Sequence, residues 1–281
     1  MREFDDAAVI AAVDPHSLVA EVERCLADLG TGRASQMPKA ALPIAPGAFF
    51  LSVAGIVPRL GLATSKWASY VPGAAGQPGH STSRITVSDA TTGEALATIS
   101  GMAATQLRTA ATAVAAAHRF AVKPAASIAF VGFGGTNRAV FDLLAALGSL
   151  PADVRIAVRS TESREALTHL AGVTVTTDVA AAVSGVDLAF SATGASTALA
   201  AVEQLAPGAV VVSLDGSTWT IGAETVVLTD RVIDGAPPVV AVAFSNGTEV
   251  RTKATQRVLL DIAGSAVTDV ALAAIVLGAP S

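Results

Sequence analysis

The chain has 281 residues, 52 % hydrophobic and only 15 % charged, with a net charge of −5. That composition supports a large buried core, or two cores of ordinary size, and argues against a disordered chain. An acidic chain with no cluster of Lys and Arg is not built to bind a phosphate backbone, and the longest apolar stretches, 237–244 and 270–279, are far short of the roughly 20 residues a spanning helix needs.

Acids occupy the opening "MREFDDAAVI", where a secretory leader needs a basic start and an apolar run. Cys25 is the single cysteine, so no intrachain disulfide exists, and its place in a helical pattern makes it core filler. The expectation is a cytoplasmic protein with no membrane and no nucleic-acid partner. Asp14-Pro15 reads as an N-cap followed by Pro at the first helical position. Leu18, Val19, Val22, Leu26 and Leu29 then share a face, and Gly30 is expected to stop the helix. A stretch punctuated by Pro and Gly (36–73) holds short strands, one of them at 48–53. "RITVS" (84–88) and "EALATIS" (94–100) flank "DATTG" as a hairpin, and 102–120 is a long Ala-rich helix.

From residue 127 the texture changes. Strands are expected at "SIAFVGFG", 154–160, 173–178, 186–193 and 209–215, alternating with helices at "RAVFDLLAALG", 162–172, 179–185 and 198–208. Alternation with short links marks a parallel sheet covered on both faces, the α/β doubly wound class. The segment 253–278 reads as one or two helices broken near Gly264, packing back on the N-terminal region.

"IAFVGFGGTNRAV" (128–140) joins a strand to a helix through Gly132, Gly134, Gly135, Thr136 and Asn137. Gly132 lets the chain turn sharply. Gly134 has no Cβ, so a pyrophosphate can approach the backbone, and the next helix offers its free N–H groups and positive dipole end. Asn137 stands where a third glycine is usual. The next strand ends in Arg159, Ser160 and Thr161, with Arg164 one turn on. Cations and hydroxyls here in place of an acid suit the 2′-phosphate of NADP(H) over NAD(H). Ser191 and Thr193, in "SATG", either face the nicotinamide ribose or simply form the loop.

Three charged residues stand out in apolar settings. Lys66 and Arg108 could clamp a carboxylate, and Asp215, ending the strand "VVVSLD", could exchange a proton with a nitrogen. On two domains facing one crevice they make a site. His16, His80, His118 and His169 are scattered without ligand spacing, so no metal is expected.

The sequence resembles the ornithine cyclodeaminase/mu-crystallin family. The carriers are "TSKWASYVPG", "VSDATTGEALATISG", "MAATQLRTAATAVAAAHRF", "VGFGGTNRAV", "VDLAFSATG", "LAPGAVVVSLDG" and "GSAVTDVALAAIVLG". The resemblance implies a Rossmann-type domain at 120–251 and an α+β substrate-binding and dimerisation domain from both chain ends, 1–119 and 252–281. It implies NAD(H) or NADP(H), a small amino or imino acid, a homodimer, and hydride transfer at a carbon bearing nitrogen. By motif match Lys66 and Arg108 would hold the substrate carboxylate, Asp215 would be the acid/base, and Ser81-Thr82-Ser83 would lie near the nicotinamide, with Thr82 touching the cofactor. Lys39 matches an early substrate-binding Arg of the family. Other departures are "SL" for "VG" before the acid, Trp219 where cyclodeaminases carry a cofactor-side Lys, and Ile262 for a Ser.

The function expected is an NADP-dependent oxidoreductase acting on the C–N bond of a small amino or imino acid, as an imine reductase or amino acid dehydrogenase. The alternatives are a cyclodeaminase-like ammonia lyase with tightly held NAD, and a non-catalytic NADPH-binding protein of crystallin type.

Overall fold

The computed structural model describes residues 1–73, 79–216, 218–232, 236–247 and 249–279. The chain divides into two units. The first holds Met1–Thr109, Arg231–Asn246 and Ser265–Ser281, and the second Ala110–Asp230 and Gly247–Gly264. The sequence reading drew these boundaries at 119/120 and 251/252. The short segment 231–246 belongs with the first unit and 247–264 with the second.

The first stretch of chain runs β1 (Arg2–Phe4), α1 (Asp6–Ala12), α2 (Pro15–Gly30), β2 (Ser35–Gln36), β3 (Ala40–Ala45), β4 (Ala48–Val57), β5 (Leu62–Val71), β6 (His80–Asp89), β7 (Ala95–Ser100) and α3 (Ala103–Phe120). The second runs β8 (Ser127–Val131), α4 (Gly135–Ala146), β9 (Asp153–Ala157), α5 (Thr161–Glu165), β10 (Val173–Thr176), α6 (Val179–Val183), β11 (Leu188–Ser191), β12 (Ala200–Ala201), β13 (Val210–Ser213), β14 (Trp219–Thr220) and β15 (Val226–Thr229). α7 (Val239–Asn246), β16 (Val258–Asp261) and α8 (Ala266–Leu277) complete it.

In the first unit the sheet order is β1-β7-β6-β5-β4-β2, with β3 also on β4. All pairs are antiparallel except β1 with β7. Alternation sends Val53, Val57, Leu62, Thr64, Lys66, Ile85 and Val87 to the buried face. α8 lies against that face, on β4 and β5, and α2 packs on α7 and α8. α2 starts as expected, with Asp14 Oδ1 accepting from Ser17 N at 2.8 Å. Gly30, however, is not the left-handed stop. That conformation falls at Gly32 (φ +74°), and Gly30 is the last helical residue. Its missing side chain admits the backbone of α7, since a Cβ there would run into the carbonyl of Ala241.

The second unit is built on a parallel sheet of order β10-β9-β8-β11-β13-β16-β15, a doubly wound Rossmann-type arrangement, with β12 and β14 paired as a separate two-stranded sheet. Phe130 and Phe190 stack between neighbouring strands at 5.4 Å, and Phe141 of α4 meets Phe130 edge-on. Ala129, Val131, Ala189, Val211 and Leu259 share another cluster with Trp219.

Three expected helices are corrected. At 162–172 the helix ends at Glu165. Only Leu167 of the following residues is buried, which gives a longer helix too little apolar surface to hold it. At 198–208 the chain forms β12 and a single 3-10 turn, because the N–H groups of Leu199 and Ala200 are taken by the carbonyl of Thr218. Within 253–278 the run Val258–Asp261 is a strand, buried between β13 and β15. A short unbroken apolar run has no period to tell a buried strand from a helix. α8 follows it as expected.

Gly30→Ala is expected to lower stability by about 1–3 kcal/mol through overpacking against a backbone, even though Ala favours the helix by about 1 kcal/mol. Thermal unfolding checks this, and an unchanged or higher melting temperature contradicts the packing role.

Candidate functional site

The candidate residues form two groups, one in each unit. In the first, β5 carries Lys66 on the buried face of the sheet, paired in register with Val53 on one side and Ile85 on the other. Arg108 comes from the first half of α3, whose start is capped from a distance: Ala103 N donates to Asp6 Oδ1 at 2.8 Å. Both cations are almost entirely buried. They meet at Asp269, a fully buried carboxylate in the first turns of α8. Lys66 Nζ lies 3.0 Å from Oδ1 and 2.8 Å from Oδ2, and Arg108 Nε lies 3.1 Å from Oδ1. α8 in turn is capped by Gln36 of β2, whose Oε1 accepts from Ala266 N at 2.7 Å.

The structure brings Lys66 and Arg108 to one carboxylate, Asp269, a residue the sequence patterns did not single out. A signal was present, since Asp269 is the one charged residue in a twelve-residue helix that is otherwise apolar apart from Thr268, and such a charge is seldom buried unless paired. Burial, followed by the charge of Arg108, pushes the Lys66 ammonium down to about 8, against the pull of Asp269. Lys39 adds a smaller push in the same direction. Lys39 itself is exposed. Thr82 is exposed on β6 and shares a 2.7 Å hydrogen bond with Ser69, while Ser83 accepts from Thr105 of α3 at 2.9 Å.

In the second unit, β8 runs into the glycine loop and α4. Gly132 has φ +77°, and a Cβ there would sit 2.5 Å from the Ala192 carbonyl at the end of β11, so both conformation and packing demand glycine. Gly134 differs. Its φ is ordinary and nothing lies within 4 Å of where its Cβ would be. Neither backbone nor packing requires a glycine here, and its absent side chain leaves the start of α4 open, as a cradle for a diphosphate needs. Gly135 and Thr136 form the first turn of that helix. Asn137 is fully buried, and its amide donates to the carbonyls of Gly132 at 2.7 Å and Val131 at 3.1 Å. It pins the loop to the strand end, the part a third glycine plays by close packing.

After β9, Arg159 and Arg164 are exposed, Ser160 caps α5 and Thr161 begins it. Asp215 follows β13 and is half-buried in a ring of donors. Its Oδ1 accepts from Ser191 at 3.3 Å and Ser213 at 3.1 Å, and its Oδ2 from Thr193 N at 2.7 Å, Thr193 Oγ1 at 2.9 Å and Thr218 Oγ1 at 2.6 Å. All of these contacts favour the carboxylate as an anion. Ser191 is fully buried and accepts from Trp219 Nε1 at 2.9 Å, so its hydroxyl works inside this network. Ser213, noted in the sequence only as a departure, is a ligand of the acid.

Burial pushes the Cys25 thiol up, which leaves it unreactive core filler. Among the described residues no helix is long and apolar enough to cross a membrane.

A family model for the ornithine cyclodeaminase/mu-crystallin family matches residues 5–221. No curated protein sequence matches. Among solved structures, a probable ornithine cyclodeaminase from Bordetella pertussis Tohama I is 22 % identical with a TM-score of 0.79, covering 100 % of this chain and 99 % of that one. The Δ1-pyrroline-2-carboxylate reductase of Thermococcus litoralis, in complex with NADH and L-proline, is 16 % identical with a TM-score of 0.82, covering 99 % and 97 %. An archaeal alanine dehydrogenase dimer with bound NAD is 18 % identical with a TM-score of 0.82, covering 99 % and 95 %. These likenesses establish the shared fold, and the match over residues 5–221 establishes that the chain belongs to the ornithine cyclodeaminase/mu-crystallin family.

Proposed function

We propose that this protein is an NADP-dependent oxidoreductase acting on the C–N bond of a small amino or imino acid, in the manner of an imine reductase or amino acid dehydrogenase. The carrying observation is the buried pair of cations. Lys66 and Arg108 against one carboxylate leave a net charge of +1 in an apolar shell, which a substrate carboxylate neutralises. The solved relatives with L-proline and NADH, or with NAD, are in keeping with this reading.

The start of α4, with Gly132, Gly134, Gly135 and Thr136, would hold the diphosphate. A bound nicotinamide supplies the hydride donor or acceptor. Arg159 and Arg164, with Ser160 and Thr161, would hold the 2′-phosphate that distinguishes NADP(H), and Thr193 and Thr82 are assigned to the cofactor's nicotinamide end. Lys66 and Arg108 fix the substrate carboxylate and, by neutralising it, leave the imine carbon electrophilic. Lys39 adds positive charge to that end. Asp215, held as an anion, takes a proton from the amine nitrogen in the oxidative direction and returns it in the reductive one. Trp219, buried and hydrogen-bonded to Ser191, brings no cation to its position, which favours net redox turnover over the cyclodeaminase reading. We further propose a homodimer in the cytoplasm, in line with the dimeric relative and the single buried thiol.

The test is steady NADPH consumption with a cyclic imino acid such as pyrroline-2-carboxylate. Asp215→Asn is expected to lower kcat by about 100-fold or more. Ammonia release without net change in cofactor absorbance would point to the lyase, and tight NADPH binding with no turnover across imines, keto acids and amines to the non-catalytic reading.

The Lys66 ammonium, depressed to about 8, is charged below that pH and neutral above it. KM for the carboxylate substrate should therefore be flat below pH 8 and rise about 10-fold for each pH unit above it. A KM that stays flat through this window removes Lys66 from substrate binding. For the cofactor, Arg159→Asp is expected to move the preference toward NADH by at least about 10-fold in kcat/KM. An unchanged preference rejects the 2′-phosphate assignment.

A further inference from the structure

Lys66 poses a physical problem that the proposed reaction alone does not solve. Its ammonium is 4 % exposed, on the apolar face of a sheet, between Val53 and Ile85, with a guanidinium as neighbour. Burial and like charge both act to remove its proton, and a deprotonated lysine cannot hold a carboxylate. The elements around it carry four relevant groups: Arg108 on α3, Lys39 just before β3, Asp269 on α8, and Lys66 itself on β5. Three are cationic. Among the described residues, Asp269 is the one whose charge opposes the loss of the proton.

Its geometry also fixes positions. One carboxylate spans Lys66 Nζ, at 3.0 and 2.8 Å from its two oxygens, and reaches Arg108 Nε at 3.1 Å. A four-carbon lysine stem has many rotamers, and an anchored head keeps one. Asp269 in turn is held by the helix it sits on, docked under the sheet and capped by Gln36.

We propose that Asp269 is the positioning residue of the carboxylate clamp: it keeps Lys66 protonated and holds Lys66 and Arg108 side by side for a substrate's single carboxylate. The inference rests on the reading of Lys66 and Arg108 as that clamp. It adds that an internal anion, on the last helix of the chain, sets the pH range over which the clamp works.

The protein has four lysines, Lys39, Lys66, Lys123 and Lys253, so a lysine labelled with 15N gives a resolvable side-chain NMR titration, with Lys66→Met to assign its signal. In Asp269→Asn the Lys66 midpoint is expected to fall by about 1 pH unit or more relative to the native protein. Calorimetric binding of L-proline, in the presence of NADP, should weaken about 5-fold or more at pH 8 and recover toward the native affinity once the pH is lowered past the new midpoint, where Lys66 regains its proton. A purely structural role for Asp269 predicts weakening with no recovery.

Asp269→Glu keeps the charge and displaces it by one methylene. It should leave the Lys66 midpoint close to the native one and still weaken L-proline binding about 10-fold. An unmoved Lys66 midpoint in folded Asp269→Asn, or native affinity in Asp269→Glu, overturns the proposal. The second variant decides it if the first fails to fold. Native protein that binds no amino or imino acid, while Lys66 still responds to Asp269→Asn, overturns the functional reading instead, since the titration needs no ligand.

Discussion

A buried charge must be answered by another charge. Moving an isolated charge out of water is so costly that an ammonium sheds its proton and a guanidinium, which cannot, drags water in, and removing one partner of a buried pair typically costs about 3–5 kcal/mol. In the first unit this constraint links three elements distant in sequence. β5 brings Lys66, α3 brings Arg108 and α8 brings Asp269, and the ions meet within 3.1 Å. The helices that carry two of these groups start on caps lent by remote side chains, Asp6 for α3 and Gln36 for α8. Such caps satisfy backbone donors that a helix start otherwise leaves exposed. Chain entry, sheet and final helix are thereby tied to one electrostatic center.

The second unit solves a different problem, that of presenting backbone to a ligand. Gly132 is forced by its own conformation and by the nearness of β11, whereas Gly134 is forced by nothing in the chain. Asn137 does inside the protein what a small residue does in the common form of this motif, by bonding its amide to the strand-end carbonyls. Asp215 shows the same economy of hydroxyls. Ser191, Ser213, Thr193 and Thr218 converge on it, so a sequence rich in Ser and Thr at strand ends becomes a donor ring around one acid.

The two charged groups therefore differ in kind. Lys66 is buried among cations and is held charged by a single carboxylate, so its protonation is easily moved. Asp215 instead accepts hydrogen bonds from neutral donors, the hydroxyls of Ser191, Ser213, Thr193 and Thr218.

Much of this was legible in the chain itself. The parallel α/β unit, the glycine turn, the hairpin at 84–100 and the long helix over 103–120 follow from apolar periodicity and from residues whose backbone preferences are strong. Lys66, Arg108 and Asp215 stood out because each interrupts an apolar pattern. What tertiary structure decided were the properties that depend on who lies opposite. Val258–Asp261 became a strand because a slot between β13 and β15 was waiting for it. Residues 198–208 gave up a helix to a distant carbonyl. Gly30 serves a neighbouring backbone and not a turn. Asp269 has its meaning only from two cations, one roughly 160 and the other roughly 200 residues away along the chain, because an ion pair is set by distance in space, to which local sequence periodicity is blind.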